Sequence, residues 1–412
     1  MREESTLRYK IAAAPLALLL AAGMAACGSS SHGGGSSGDG PVTVALIPPL
    51  SGALGQFGKD TVTAWQFAAD QANAKGGIDG HEVKIVTTAT DGSPGTTVRL
   101  ARQAVAQHGA HFIGAVMTGP ENSALQKQLP AMNALSFNGT ANDDVLNEGE
   151  CSANAFRAVQ SAQMDMNGIV NTLKSLPGDK WAIQAVDYSI GHSSADAFKA
   201  AAAKAGKQVV LTQFAPLGTS DFGSYITKLK SSGADALFSV TYGADAIALI
   251  NQGAQFKLFD QFKTVLGFNQ VSEPLFPALG KKIDGFYNQV NYDVDASNAD
   301  NKAFVAAWTK KYGSPPYYVP ADTYLAAQML FKGIERAHST DPQKVKVALG
   351  GLSFDSIAGK VTVRPQDHQL LRASYVGQVV PKTGGPGGLG FKIVAETPAK
   401  VTTPAASPSC KL

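Results

Sequence analysis

The stretch Val42–Thr87, VTVALIPPLSGALGQFGKDTVTAWQFAADQANAKGGIDGHEVKIVT, decides the fold. Val42 to Ile47 is a short apolar run rich in β-branched residues, which reads as a strand buried on both faces. Ser51 to Gly58 is a glycine-containing loop. From Lys59 to Lys75, Val62, Trp65, Ala69 and Ala72 fall on one helical face. Gly76-Gly77 then stops the helix as C-terminal glycines do, and Val83 to Thr87 forms a second strand. Strand, loop, helix and strand in this order make a βαβ unit with parallel strands.

The rhythm continues outward from that unit. Helix Thr96–Gln107, strand His111–Val116, a helix opening at Pro120 and a strand at Leu135–Phe137 follow. A second run begins at Trp181–Val186. Helices Ser193–Ala205, Phe222–Ser231 and Ala244–Phe256 there alternate with strands Gln208–Gln213, Ala236–Thr241 and Lys263–Leu266. Two such runs predict an α/β protein of two lobes, each a mostly parallel sheet flanked by helices. Residues 302–349 read mainly helical, and Gly359–Val363 and Ser374–Val380 read as late strands.

The 412 residues, 44% hydrophobic and 16% charged, suffice for two domains with their own cores. A net charge of +3, from 35 basic and 32 acidic residues without a basic block, argues against nucleic acid as a partner.

At the N-terminus Arg2, Arg8 and Lys10 precede an apolar run, Ile11–Ala26, that stops at Cys27. This reads as a secretory signal, diluted by Glu3 and Glu4 and too short and Ala-rich for a membrane span. Met24-Ala25-Ala26-Cys27 resembles a bacterial lipobox, which implies cleavage after residue 26 and a diacylated Cys27. Residues 27–40 are a Gly/Ser tether. The expected location is the outer face of the bacterial cytoplasmic membrane, with the lipid as the only membrane contact. In an oxidising compartment the remaining cysteines, Cys151 and Cys410, are expected to pair and staple the tail to the body.

Enzyme-like patterns fail on context. Gly385–Gly390 fits G-x-G-x-x-G but precedes the strand-like Phe391–Val394 instead of opening a helix, so it reads as a hairpin loop. Gly191-His192-Ser193-Ser194-Ala195 lacks the last glycine of a nucleophile elbow, which leaves an exported hydrolase using Ser193 as a distant alternative. His108 and His111 have no carboxylate or cysteine at ligand spacing. The expectation is a protein that is not an enzyme, with no metal and no cofactor.

Several motifs together resemble the leucine/isoleucine/valine-type, or type I, periplasmic binding proteins. They are Ser51–Gly58, Asn73–His81 (fitting N-x-x-G-G-I-x-G-x), Ile113-Gly114, Phe156-Arg157, Tyr188–Gly191 and Ala321–Tyr324. The resemblance runs from about Val42 to Val380. It implies two lobes joined by three hinge crossings, near Arg157, Asn288–Tyr292 and Phe354–Ala358. Lobe 1 would then be 41–157 with 290–355, and lobe 2 158–289 with 356–412. A small ligand would sit between the lobes and pass to the permease subunits of an ABC importer, the protein acting as a monomer. A ligand sensor for a signalling partner is the alternative.

The resemblance also implies the site. Thr118 and Gly119, at a helix N-terminus, would hold an anionic group, with Thr118 and Glu121 forming a capping box. Gly139 and Thr140 would add backbone and hydroxyl groups. Phe57 would cover the ligand, Tyr188 and Tyr242 would close from lobe 2, and Tyr318 would assist. Amino-acid binders of the family carry an acid where this chain has Asn269-Gln270. The expected ligand is therefore a small polar or carboxylate molecule, with simple amino acids bound weakly for want of a counter-charge.

Overall fold

The structure, a computed structural model, describes residues 40–412. The signal-like segment, Cys27 and the tether up to Asp39 lie outside the described residues. Lobe 1 opens with β1 (Val42–Leu46), α1 (Gly55–Asn73), β2 (Val83–Thr87), α2 (Pro94–His108), β3 (Phe112–Gly114), α3 (Gly119–Gln126), β4 (Leu135–Asn138) and β5 (Ala155–Arg157). These strands form a fully parallel sheet in the order β2-β1-β3-β4-β5. Trp65 of α1 is fully buried against it. Gly114 accommodates the indole, because a Cβ there would stand 2.7 Å from the ring.

Lobe 2 follows with α4 (Ala162–Ser175), β6 (Lys180–Val186), α5 (Ser189–Lys204), β7 (Gln208–Ala215), α6 (Gly223–Ser231), β8 (Ala236–Val240), α7 (Gly243–Gln255), β9 (Thr264–Phe268), the single turn α8 (Phe276–Leu279) and β10 (Tyr287–Val290). The chain returns to lobe 1 with α9 (Ala299–Tyr312), α10 (Tyr318–Ala337) and α11 (Pro342–Leu349). A small antiparallel sheet comes next, β11 (Ser353–Ser356), β12 (Gly359–Val363) and β13 (Leu370–Leu371). The hairpin β14 (Ser374–Pro381) and β15 (Leu389–Thr397) then joins the lobe 2 sheet, ordered β15-β14-β10-β9-β8-β6-β7, and α12 (Ala399–Thr402) precedes the tail. Gly385–Gly390 connects β14 to β15, as its strand-like flank predicts.

The chain passes between lobes at 158–161, near 291, and at 372–373. The third passage corrects the expected one. Phe354, Ile357, Val361, Val363 and Leu370 belong to the same buried cluster as Trp65 and Leu325. Residues 356–371 therefore complete lobe 1, because alternate side chains of β11 and β12 have their apolar partners there and none in lobe 2. The helix Ala162–Ser175 was not anticipated from the sequence. Its N-cap is Ser161, whose hydroxyl accepts from the Met164 amide.

Cys151 and Cys410 form a disulfide, with Cα atoms 5.5 Å apart across 259 residues. The tail leaves α12 beside α4 in lobe 2, where Asn167 Nδ2 donates to the Thr402 carbonyl (2.9 Å). It then returns to lobe 1, where Arg364 Nη1 donates to the Pro404 carbonyl (2.6 Å). The bridge closes this strap. Cys410→Ser should lower the unfolding free energy by about 2–4 kcal/mol, measured by urea unfolding without reductant. Free-thiol labelling of the unmodified, folded protein at both cysteines would contradict the bridge.

His368, beside the first crossing, stacks on Phe156 with centroids 4.2 Å apart and planes 7° from parallel. Burial lowers its pKa from 6.5 to about 4. The folded state thus resists a proton that the unfolded chain takes up. The stabilisation is fully present above pH 6.5 and lost as pH falls through 4. Proton NMR should find His368 neutral at pH 5.5; an imidazole titrating above 6 would contradict this burial.

Candidate ligand-binding cleft

Each expected site residue stands at the end of a strand or at the start of a helix, where an open α/β sheet exposes backbone and side chains to a crevice. Thr118 follows β3 as the N-cap of α3, and the capping box with Glu121 is present. Gly139 and Thr140 follow β4. Tyr188 and Tyr242 are the N-caps of α5 and α7, and Asn269 directly follows β9. Phe57 lies on the first turn of α1, and Tyr318 opens α10. All nine residues line one interlobe cavity of about 50 Å³, with Met117, Asp143 and Asp322 among the remaining lining. A larger groove of about 740 Å³, lined by Asp60, Trp308, Tyr317 and Lys382, contains none of the nine.

The cavity has an apolar and a polar wall. Phe57, Leu54 and Tyr318 of lobe 1 pack with Tyr242 of lobe 2 in one apolar cluster. A Cβ on Gly243 would stand 2.5 Å from the Ala53 carbonyl, so the lobes already meet at that edge. The polar wall rests on a buried ion pair, Arg372 Nη1 to Asp322 Oδ1 (2.5 Å). Asn291 Nδ2 donates to the other Asp322 oxygen (2.9 Å), and Asn269 Nδ2 donates to Asn291 Oδ1 (3.2 Å). Asp322 is pushed above the usual carboxylate range by burial and held back by Arg372. Asn269 has φ of 47°, in the left-handed region that Asn tolerates well.

A model of the family described as periplasmic binding protein matches residues 41–386 of this chain. The chain belongs to that family, and its fold is that of the type I periplasmic binding proteins. Among its relatives, a Leu/Ile/Val-binding protein homologue of Brucella suis is 26% identical over 361 residues, covering 82% of this chain and 88% of the relative. A Leu/Ile/Val-binding protein of Rhizobium johnstonii is 28% identical, covering 78% and 87%. Among solved structures, the closed form of a leucine-, isoleucine-, valine-, threonine- and alanine-binding protein from Brucella ovis aligns with TM-score 0.80 at 19% identity, over 90% of this chain and 98% of that one. An ABC transporter solute-binding protein from Rhodopseudomonas palustris, in complex with 3,4-dihydroxybenzoic acid, aligns with TM-score 0.80 at 20% identity, over 87% and 98%.

Within this binding-protein fold, the threonine donors expected to grip an anion are used internally. The Thr118 hydroxyl donates to Glu121 Oε2 (2.8 Å). The Thr140 hydroxyl donates to the Val116 carbonyl (2.9 Å), and its amide to Asn138 Oδ1 (2.9 Å). Gly119 is covered by a side chain the sequence reading missed, Asp143, since a Cβ on Gly119 would lie 2.2 Å from the Asp143 Cγ. Burial pushes the Asp143 carboxyl above the usual range, and the nearby Ser189 hydroxyl and Arg157 guanidinium oppose this. The cleft therefore has an acid, from the loop after β4 instead of the strand end at Asn269. A ligand ammonium would meet a carboxyl group in this cleft, which corrects the expectation that none is present.

Asp322 was also missed as a site residue. Its sequence signal is a lone carboxylate on the apolar face Val319–Ala326. Asp245, in the first turn of α7, accepts from the Gly218 amide (2.8 Å).

Arg372→Met should cost about 3–5 kcal/mol of stability, because Asp322 stays buried without its partner. The double variant Arg372→Met/Asp322→Leu should recover a large part of it. Urea unfolding checks both, and a single-variant loss below about 1 kcal/mol would mean that the pair behaves as an exposed one.

Proposed function

We propose that the chain is the extracytoplasmic solute receptor of an ABC importer, tethered to the membrane by a lipid on Cys27. It captures a small polar ligand between its lobes and presents the closed form to the permease. One observation carries the reading: nine side chains and backbone groups from both lobes surround a single interlobe cavity. Such a site is complete only when the lobes are together, so a ligand there favours the closed state by its differential affinity. Family membership and relatives that bind amino acids support it. Among the described residues no helix is long and apolar enough to cross a membrane.

The lining carries no nucleophile–base pair. Ser193 lies outside the cavity, and the neighbouring His192–Asp187 pair (3.0 Å) is exposed on lobe 2.

Five measurements test the proposal. Thermal-shift screening of the mature domain should find a stabilising small molecule, and small-angle scattering should show a smaller radius with it bound. Deletion of the gene should abolish uptake of that molecule. Palmitate labelling should mark the wild type and vanish in Cys27→Ala. Tyr242→Ala should weaken binding by about 1–3 kcal/mol through lost packing and hydrogen bonding. A ligand whose affinity ignores Tyr242 and leaves the scattering unchanged would place binding outside the cleft.

A further inference from the structure

We propose that the cleft holds its ligand through nitrogen-bound hydrogens offered to Asp143 and Asn269, and that a ligand carboxylate is excluded from the N-terminus of α3. This rests on the solute-receptor reading above.

The helix N-terminus that would favour an anion already faces an acidic side chain of the protein, Asp143. The Asp143 side chain is 1% exposed, and all three atoms of its carboxylate group would lie within 2.4 Å of a Cβ on Gly119. A second carboxyl group there would share a desolvated site with Asp143, where two carboxylates repel and cannot both keep their charge without cost. The threonine hydroxyls and the Thr140 amide cannot compensate, since each donates within the protein.

Two buried acceptors on the cavity wall lack a well-formed hydrogen bond: Asp143 Oδ1, which has only the nearby Ser189 hydroxyl as a donor, and Asn269 Oδ1. The amide orientation of Asn269 is not free to reverse. Arg372 and Asn291 donate to Asp322, which turns Asn291 Oδ1 toward Asn269 and commits Asn269 Nδ2 to it. The oxygen is left without a donor. An unmet buried acceptor costs the full desolvation of that group, and a ligand N–H removes the cost.

The lining includes the carboxylates of Asp143 and Asp322 and no Lys, Arg or His. Arg372, behind it, is paired with Asp322. On the lobe 2 side, Tyr188 and Tyr242 contribute neutral phenols suited to a carbonyl or hydroxyl group. The complementary ligand is a primary amide or alkylammonium compound with an apolar body set against Phe57, Tyr242 and Tyr318.

Calorimetry on the mature domain with matched pairs tests this: benzamide against benzoate, and isocaproamide and isoamylammonium against isocaproate. In the wild type the nitrogen compound of a pair should bind roughly tenfold or more tightly than its carboxylate. The near-isosteric Asp143→Asn, which replaces the acid with an amide that can donate, should narrow or reverse that ratio. The wild-type ranking needs no folded variant. Tighter binding of the carboxylates by the wild type, or a ratio that Asp143→Asn leaves unchanged, overturns the proposal while the receptor reading stands. Failure of every compound to bind counts against the receptor reading and the proposal together.

Discussion

The buried pair of Arg372 and Asp322 is the interaction on which the two-lobe arrangement depends. Arg372 sits in the third passage between lobes. Its guanidinium donates to the Asn291 carbonyl of the second passage, to the Ala158 carbonyl of the first (3.5 Å) and to Asp322 of α10. One side chain thus ties three connections and the lobe 1 helix that floors the cleft. The two side chains are only 2% and 1% exposed, so the pair exists without help from water. Such a pair gains its geometry from the hydrogen bonds that complete it, and loss of either partner strands a charge.

The surrounding passages are joined by further polar groups instead of by apolar packing. Arg157 Nε donates to Gln369 Oε1 (2.6 Å), Gln369 Nε2 to the Val159 carbonyl (2.9 Å) and Gln160 Nε2 to the Ala373 carbonyl (2.7 Å). The first and third passages are therefore fastened edge to edge. Asp165 of α4, held well above the usual carboxylate range by burial, accepts from Gln289 Nε2 (2.8 Å) and joins the second passage to them. Directional bonds of this kind keep register while leaving the lobes free to turn about them, which a continuous apolar interface would resist.

The same network reaches the ligand site. By ordering Asn291, the ion pair sets the amide orientation of Asn269, a residue that lines the cavity. The acidic wall and the hinge are thus one polar structure, and the cleft's specificity is coupled to the element about which the lobes move.

The ring of strand-end residues at the cleft was implied by the family resemblance; the sequence by itself determined the α/β alternation, the two runs, the capping box at Thr118 and the hairpin at Gly385–Gly390. Each is local: apolar periodicity, glycine stops and cap spacing act within a few residues. Positions at the ends of parallel strands converge whatever the distant details. The tertiary structure alone decided the third passage, the charge of the cleft and the hydrogen bonds of Asn269. Phe354 and Val361 belong to lobe 1 because of what they pack on, which no pattern within β11 and β12 states. Asp143 lies 24 residues from the Gly119 it covers, and Arg372 50 residues from Asp322. Whether a carboxylate serves a ligand, a helix end or a buried arginine depends on groups brought together only by the finished fold, where low polarity makes their separations decisive.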